Sequence, residues 1–213
     1  MFKNRTEAGQ LLAKALAKYK NEEVVVYALP RGGVITAVSV AKELKAPLDI
    51  IIVRKIGHPN NPEYAIGVVA EDRAQLLNED ELSTVDKHWL EAEIEKEKKE
   101  AKRRRELYLE GKAPVEASGK IAILVDDGIA TGLTARLGIL ELKALHPKKI
   151  VVAVPVISIE AAKVIESEAD ELIILENPEE FLGAVGAHYL DFDQVSDEEV
   201  LSILRKYEKK YKG

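Results

Sequence analysis

Short, mostly apolar runs alternate with segments of helical periodicity along most of this chain. Each run is four to six residues long. Such runs predict strands that are buried on both faces, as in parallel sheets. The predicted strands are Val24–Leu29, Leu48–Val53, Ile121–Val125, Ile150–Val154 and Leu172–Leu175.

Helical periodicity fills the intervals between these runs. In the first helix, Asn4 and Glu7 predict a capping pair for the opening turn. Further helices are predicted at Val34–Leu44, from the glycine-rich turn after residue 125 to about Leu145, at Ile159–Glu168, and at Ser196–Tyr211 with Ser196 and Glu199 as a capping box. The alternation favours an α/β fold with an open, mostly parallel twisted sheet and helices on both faces. Ligands of such sheets bind beyond the carboxyl ends of the strands, near the point where the strand order reverses.

The segment after the second predicted strand departs from this alternation. Its turn residues predict a loop at 57–62. Two short apolar segments, Ala65–Ala70 and Ala74–Leu77, then predict a hairpin on either side of residues 71–73.

A long, highly charged helix is predicted from about Asp86 to Leu109. Opposite charges recur there three or four residues apart, as in Glu100 and Arg104. The basic stretch at 96–105 is typical of a solvated helix face rather than a nucleic-acid site. Because 213 residues suit one domain, we predict a single domain over 1–213, with a core at about 20–175 and this helical insertion at about 83–110.

Composition narrows the class of protein. Apolar residues make up 46% of the chain and charged residues 32%, which excludes a disordered chain. Cysteine is absent, which excludes disulfides, thiolate zinc sites and cysteine nucleophiles. The abundance of Glu and Lys suits a heat-adapted protein.

Charge and the lack of long apolar runs bear on partners and location. The formal net charge of −6 makes nucleic acid a poor ligand, so we expect no nucleic-acid partner. No apolar stretch approaches a membrane span, and the first residues form no apolar signal segment. We therefore expect no membrane association and a cytoplasmic location. A phosphorylated small molecule is compatible with the charge, because a turn of backbone amides binds phosphate whatever the global charge.

One segment combines two acids, two glycines and two threonines. It follows the strand at Ile121–Val125 and runs Asp126-Asp127-Gly128-Ile129-Ala130-Thr131-Gly132-Leu133-Thr134. The turn and the helix that it opens present unpaired amides and a partial positive charge, which suit a phosphate monoester. The glycines allow close approach of phosphate, and the hydroxyls are further donors. The aspartates repel phosphate but accept hydrogen bonds from hydroxyls such as a ribose diol, so the segment indicates phosphate at one end and a sugar diol at the other.

Other interpretations of this segment fit less well. It is not a Walker loop, because no Lys follows the glycines, and its spacing differs from the dinucleotide-binding fingerprint. A plain helix cap would not require two acids, two glycines and two hydroxyls. An unrelated α/β fold with a metal-binding acid pair, such as a receiver-type or phosphoryl-transfer domain, stays open. Those folds usually place their acids after the first strand, where this chain has Pro30 and Arg31.

The segment strongly resembles the phosphoribosyl pyrophosphate (PRPP) loop of type I phosphoribosyltransferases. The pattern of that loop is a hydrophobic strand, two acids and a turn that ends in Thr-Gly-x-Thr. Asp126, Asp127, Thr131, Gly132 and Thr134 match it. The resemblance implies a type I phosphoribosyltransferase-like fold and PRPP contacts from Asp126, Asp127, Gly128, Ile129, Ala130, Thr131, Gly132 and Thr134.

Two further segments match the same family in order along the chain. Pro30-Arg31-Gly32-Gly33 resembles the pyrophosphate loop, in which a cis non-proline peptide bond often precedes the basic residue. Arg54-Lys55 resembles a basic pair that other members direct at pyrophosphate. The resemblance thus implies Arg31, Gly32 and Gly33 as PRPP ligands and Arg54, Lys55, Asp126 and Asp127 as catalytic residues.

The same family has a mobile catalytic loop and a variable hood that binds the base. The mobile loop would here lie at about Gly57–Ala74, with Glu63 and Tyr64 as its candidate residues, and would close over the site. The hood would be Asn177–Asp193. Its weak base-binding candidates are Phe181, Tyr189, Asp191 and Phe192, with core packing as the alternative role of the three rings. The whole chain most resembles a poorly characterised branch that shares Leu-Pro-Arg-Gly-Gly, Val-Arg-Lys, Asn-Pro-Glu and the tail motif at Ala184–Phe192.

The resemblance implies transfer of the 5-phosphoribosyl group from PRPP to a nitrogen acceptor, with release of pyrophosphate. A nucleobase is the expected acceptor, and its identity stays open. Mg²⁺ is the implied cofactor, met by Asp126 and Asp127 only indirectly, through PRPP and water. A homodimer is the implied assembly. The alternative is a non-catalytic PRPP- or nucleotide-binding regulatory protein.

Overall fold

The computed structural model describes residues 1–71 and 74–211 of the chain, and for Glu63 and Pro178 the main chain only. Asp72 and Arg73, at the expected turn of the hairpin, lie outside the described residues. The strands in chain order are β1 (Val24–Ala28), β2 (Leu48–Ile50), β3 (Arg54–His58), β4 (Asn61–Val69), β5 (Gln75–Leu77), β6 (Ile121–Val125), β7 (Lys149–Val154) and β8 (Glu171–Ile174). The α-helices are α1 (Arg5–Ala15), α2 (Gly32–Leu44), α3 (Glu79–Leu82), α4 (Lys87–Leu109), α5 (Leu133–Lys143), α6 (Ile159–Glu168) and α7 (Asp197–Tyr211).

Within the described ranges, five strands form one parallel sheet in the order β2-β1-β6-β7-β8. The strand order reverses between β1 and β6, which pair from Val24 opposite Ile121 to Ala28 opposite Val125. The turns that follow these two strands are therefore neighbours at the carboxyl edge of the sheet, where ligands of such folds bind. The topology confirms the predicted open parallel α/β sheet.

Alternate residues of the parallel strands pack against helices on opposite faces of the sheet. In β1, Val24 and Val26 lie in an apolar core with residues of α1, α2, α4 and α7. Val25 and Tyr27 lie in a second core with residues of α5 and α6. Burial on both faces is why these strands have almost no polar positions. The predicted helices on both faces are confirmed.

A second sheet is formed by β3, β4 and β5 in antiparallel pairing. The pairing of β4 with β5 confirms the predicted hairpin. The strand predicted at 48–53 is present only as far as Ile50, where β2 ends. The loop predicted at 57–62 is shorter, a turn at residues 59 and 60, because β3 pairs with β4 on either side of it. The reason is a tertiary contact. Ile56 and Ile66 are buried in an apolar cluster with residues of α4, and a contact between distant segments leaves no local pattern in the sequence.

The long helix α4 begins after Asp86, whose side chain accepts a hydrogen bond from the amide of Trp89. Ala101 and Tyr108 of this helix are buried in the core that covers one face of the parallel sheet. Glu97 is also buried. The interpretation of the stretch at 96–105 as a solvated face is therefore wrong in part, because only its outer side faces solvent.

The predicted capping pairs are present at both ends of the chain. Asn4 accepts a hydrogen bond from the amide of Glu7 at 3.0 Å. The amide of Ser196 donates to the Glu199 carboxylate at 2.8 Å, and the amide of Glu199 donates to the Ser196 hydroxyl at 3.2 Å. These contacts begin α1 and α7, which both pack on α2.

In the parts of the chain that the structure describes, no helix combines the length and the apolarity that crossing a membrane requires.

Helix α1 lies very close to α2 at Gly9. A Cβ atom there would lie 2.8 Å from the carbonyl oxygen of Thr36 and 3.0 Å from Cβ of Ser39. We expect Gly9→Val to force the two helices apart and to lower the free energy of unfolding by about 2 kcal/mol, as measured by denaturant unfolding. Gln10→Val, at the exposed neighbouring position, controls for the helix propensity of valine. Equal losses in the two variants would contradict the close contact.

Candidate functional site

Two turns meet where the strand order reverses. We refer to residues 30–33, after β1, as the first turn, and to residues 126–132, after β6, as the acidic turn. The peptide bond between Pro30 and Arg31 in the first turn is cis. This confirms the cis bond that the family resemblance implies at this position.

The glycines of the first turn let the two turns touch. A Cβ atom on Gly32 would overlap with Oδ2 of Asp127, and one on Gly33 would lie 2.8 Å from Oδ1 of Asp126. Any side chain at either glycine would displace the acids, so the glycine pair has a packing reason. Its predicted contact with PRPP stays a prediction.

The acidic turn is fixed by the segment that follows β7. The amide of Ile129 donates to the carbonyl of Val156 at 3.0 Å, and the carbonyl of Ile129 accepts from the amide of Ser158 at 3.0 Å. The Ile129 amide is therefore already bonded within the fold, and the PRPP contact expected of Ile129 stays a prediction. At the end of the turn, Gly132 has a φ of 82°, in the left-handed region that favours glycine, and caps α5. The first amides of α5 have no partners within the helix, which is the arrangement that suits binding of an anion such as phosphate.

A cavity of about 200 Å³ lies over the acidic turn and the start of α5. The structure brings most of the predicted PRPP-binding residues around this one space, together with Lys55. The residues that line it are Lys55, Asp126, Gly128, Ile129, Ala130, Thr131, Gly132, Thr134, Ala135 and Val185. Val185 comes from the predicted hood and belongs to the tail motif, but it was not among the predicted site residues.

The two aspartates of the acidic turn have different surroundings. Asp126 lines the cavity, and its Oδ1 accepts a hydrogen bond from the amide of Asp127 at 2.8 Å. Burial, and next the charge of Asp127, raise the pKa of Asp126 well above its usual range. The carboxylate of Asp127 instead contacts Arg5 and the main chain at Gly32. Of the two acids expected to face a sugar diol, Asp126 is the one that lines this cavity, and its contact with a diol stays a prediction.

Arg5 is a site residue that was not predicted from the sequence. Its Nε donates to Oδ2 of Asp127 at 2.5 Å, and both side chains are largely buried. Its Nη1 donates to the carbonyl of Asp193 at 2.8 Å. The one signal that could have pointed to it is position: a cation in the first turn of a helix opposes the helix dipole, so it calls for an acidic partner elsewhere.

The structure separates the predicted basic pair. Lys55 lines the cavity. Arg54 forms an ion pair with Glu97 of α4, with Nε and Oε2 2.7 Å apart. Both lie on β3, where successive side chains point to opposite faces, so one of the pair must face α4 if the other faces the cavity. The prediction that both aim at pyrophosphate is therefore not met by Arg54.

The side chain of Arg31, in the first turn, lies near the start of α7. Its Nη1 is 3.6 Å from Oδ1 of Asp197, and the hydroxyl of Tyr108 donates to the same carboxylate. The predicted pyrophosphate contact of Arg31 stays a prediction. It requires the guanidinium to exchange its partner Asp197 for the ligand.

Two aromatic residues of the tail motif contact the acidic turn or its partner Arg5. Tyr189 is buried, and its hydroxyl donates to the carbonyl of Asp127 at 2.6 Å. The guanidinium of Arg5 covers the ring of Phe192 at 3.7 Å. These two rings are 4.9 Å apart and lie in the apolar cluster that includes Phe2. For Tyr189 and Phe192 the expected stacking on a base is therefore replaced by core packing.

The other two base-binding candidates are also placed elsewhere. Phe181 stacks on His188, with ring centroids 5.3 Å apart. His188 is itself buried and bonded to Glu176. Asp191 is exposed, and its amide donates to the carbonyl of Lys3. Neither residue lines the cavity at the acidic turn, as far as the described residues show.

The predicted mobile loop is largely strand in this structure. Tyr64 lies on β4, is 46% exposed, and donates its hydroxyl to Glu81 at 2.8 Å. The side chain of Glu63 lies outside the described part of the chain. Closure over the site stays a prediction, and its moving part would be the β3–β4 hairpin.

The residues of the site fit the implied Mg²⁺ only if a bound substrate supplies some of the oxygen atoms that coordinate it. Among the described residues, no group of three or more His, Cys, Asp or Glu side chains could bind a metal ion. Asp126 offers carboxylate oxygen to the cavity, the donor type that Mg²⁺ prefers. Its remaining ligands would have to be water and substrate oxygens.

Comparisons with known proteins give a family model, two curated relatives and a similar crystal structure. The family model described as phosphoribosyl transferase domain matches residues 3–191. Two curated relatives from Mycobacterium tuberculosis, in strains CDC 1551 and H37Rv, carry the provisional name phosphoribosyl transferase and are each 41% identical over 206 residues. The match covers 96% of this chain and 46% of theirs, so the chain spans about half the length of these relatives. The crystal structure of TT1426 from Thermus thermophilus has a TM-score of 0.80 and 40% identity, over 97% of this chain and 99% of that one.

Asp126→Asn is expected to stabilise the ligand-free protein at pH 7. Because the folded state raises the pKa of Asp126, ionisation of this carboxyl costs stability as the pH rises above about 4 and through the folded-state value. Asparagine avoids that cost and can still accept from the Asp127 amide. Denaturant unfolding between about pH 4 and 8 should show a gain that vanishes toward acid pH, where the carboxyl is protonated in both states. Asp191→Asn, which removes an exposed charge, is the control, and a pH-independent gain would contradict the assignment.

Proposed function

The chain belongs to the phosphoribosyl transferase family, and from that premise we propose that it transfers the 5-phosphoribosyl group of PRPP to a nitrogen acceptor and releases pyrophosphate. The observation that carries the proposal is the cavity over the acidic turn. One carboxylate, two threonine hydroxyls, a helix N-terminus and one lysine surround that space. This set of groups fits a sugar that bears a phosphate at one end and a diphosphate at the other.

The 5′-phosphate would bind at the start of α5. Amides of the first helical turn and the hydroxyls of Thr131 and Thr134 are donors, and the helix dipole favours a dianion. Gly132 begins this helix in a left-handed conformation, so the main chain itself forms the phosphate cradle.

The ribose ring would lie over Asp126. Its carboxylate can accept a hydrogen bond from a ring hydroxyl and, when ionised, would stabilise positive charge that develops on the ring. In the reaction, the acceptor nitrogen forms a bond to C1 as the bond from C1 to the pyrophosphate oxygen breaks. The acceptor loses a proton, and the transition state has oxocarbenium character, as in glycoside hydrolysis.

Negative charge develops on the departing pyrophosphate, and Lys55 is the cation that the cavity offers to it. Arg31 would join once it leaves Asp197. Bound Mg²⁺ would neutralise diphosphate charge. A closing β3–β4 hairpin, which carries Lys55 and Tyr64, would exclude water that competes for C1. The dimer expected for the family is compatible with this scheme and stays a prediction.

The decisive experiment is a pyrophosphate-release assay. The protein is incubated with PRPP, Mg²⁺ and, in turn, a panel of purine and pyrimidine bases and orotate. We expect release with one acceptor class and a matching new N-glycosidic product by mass spectrometry. Tight PRPP binding without release for any acceptor would favour the regulatory alternative, and absence of PRPP binding would overturn the proposal.

Lys55→Gln and Arg54→Gln form a matched pair of variants, because they remove the same charge from neighbouring residues. We expect Lys55→Gln to weaken PRPP binding about tenfold or more, since a charge-assisted contact to diphosphate is lost. Arg54→Gln should change PRPP affinity less than threefold, because its charge pairs with Glu97. Isothermal titration with PRPP and Mg²⁺ measures both. The reverse order would contradict the placement of the two side chains.

A further inference from the structure

Arg5, at the start of α1, contributes a buried positive charge to the acidic turn. The guanidinium of Arg5 contacts three partners at once: the Asp127 carboxylate at 2.5 Å, the Asp193 carbonyl at 2.8 Å and the face of Phe192 at 3.7 Å. Its side chain is only 11% exposed. A cation at a helix N-terminus is disfavoured by the helix dipole, so the acidic partner is what makes this position favourable.

Asp127 is held at three points. Arg5 binds its carboxylate, the Tyr189 hydroxyl donates to its carbonyl at 2.6 Å, and its amide donates to Asp126 at 2.8 Å. The amide contact links this arrangement to the cavity, because the acceptor is the carboxylate of the acid that lines it. A shift of Asp127 would therefore move the hydrogen-bond donor that orients Asp126.

The positive charge of Arg5 also holds the Asp127 carboxylate in place. Asp126 and Asp127 are adjacent acids in a partly buried turn, and they repel each other. Arg5 draws the Asp127 carboxylate toward α1 and against Gly32, away from the cavity. Without Arg5, the Asp127 carboxylate would be free to rotate and to compete for the space that a ligand hydroxyl needs.

We propose that Arg5 is a positioning residue that, through Asp127, orients Asp126 to recognise the ribose diol. This inference rests on the proposed function, since it assumes a phosphoribosyl ligand in the cavity. It assigns the N-terminal helix a part in sugar selectivity. Arg5 itself contacts the acid and not the ligand.

The test compares two sugar phosphates that differ by one hydroxyl, ribose 5-phosphate and 2-deoxyribose 5-phosphate, by isothermal titration without added metal. The wild-type protein is expected to prefer the ribose form by about tenfold, the effect of one hydrogen bond to a charged acceptor. Arg5→Gln should reduce that preference to about twofold or less. Arg5→Lys keeps the positive charge but not the three contacts, so its preference should lie between those of the wild-type protein and Arg5→Gln. Lys14→Gln, in the exposed last turn of the same helix, is the control and should keep the wild-type ratio.

The affinity ratio separates positioning from a merely structural role. Loss of folded protein lowers the apparent binding of both sugars and leaves their ratio unchanged, and thermal unfolding of each variant reports that loss directly. An unchanged ratio in Arg5→Gln and Arg5→Lys would overturn the inference and leave the proposed function intact. Failure of the wild-type protein to bind either sugar phosphate would overturn the proposed function and the inference with it.

Discussion

The contact between the first turn and the acidic turn is the constraint on which the site depends. The carboxylates of Asp126 and Asp127 lie against Gly32 and Gly33 at distances that exclude a Cβ atom. Such an approach is possible only because β1 and β6 are neighbours in the sheet, at the point where the strand order reverses. That adjacency is fixed in turn by strands whose residues are buried on both faces. The chemistry of the cavity therefore follows from the way the apolar core orders the strands.

Two adjacent acids in a partly buried turn have an electrostatic cost, and distant parts of the chain offset it. Burial and the charge of Asp127 raise the pKa of Asp126, while Arg5 of α1 acts in the opposite direction. The hood participates as well, since Tyr189 binds the Asp127 carbonyl and Phe192 covers Arg5. The two ends of the chain thus stabilise a turn in its middle. This explains why Arg5, Tyr189 and Phe192 bear on the site although none of them is among the described residues that line the cavity.

How much could be predicted from the sequence depends on whether the signal is local. The strand Ile121–Val125 and the helix Ile159–Glu168 were predicted to the residue, because an unbroken apolar run and a helical period are local patterns. The acidic turn was equally visible, since its acids, glycines and hydroxyls are consecutive. The strand β3 was missed because its reason is burial of Ile56 against α4, a contact between distant segments. Arg5 was missed for the same reason: its partner Asp127 is far away in the sequence.

The hood aromatics show why composition alone does not locate a base site. An aromatic residue near a ligand edge can stack on a base or pack in a core, and the sequence is the same for both. Here the rings of Tyr189 and Phe192 lie in the core beside Phe2, and the residue of the hood that lines the cavity is Val185. An apolar contact of that size separates related ligands by only about 10- to 200-fold, whereas polar groups that need a matching partner separate them far more strongly. Under the proposed function, strong selection among acceptors would therefore require a polar contact in addition to that of Val185.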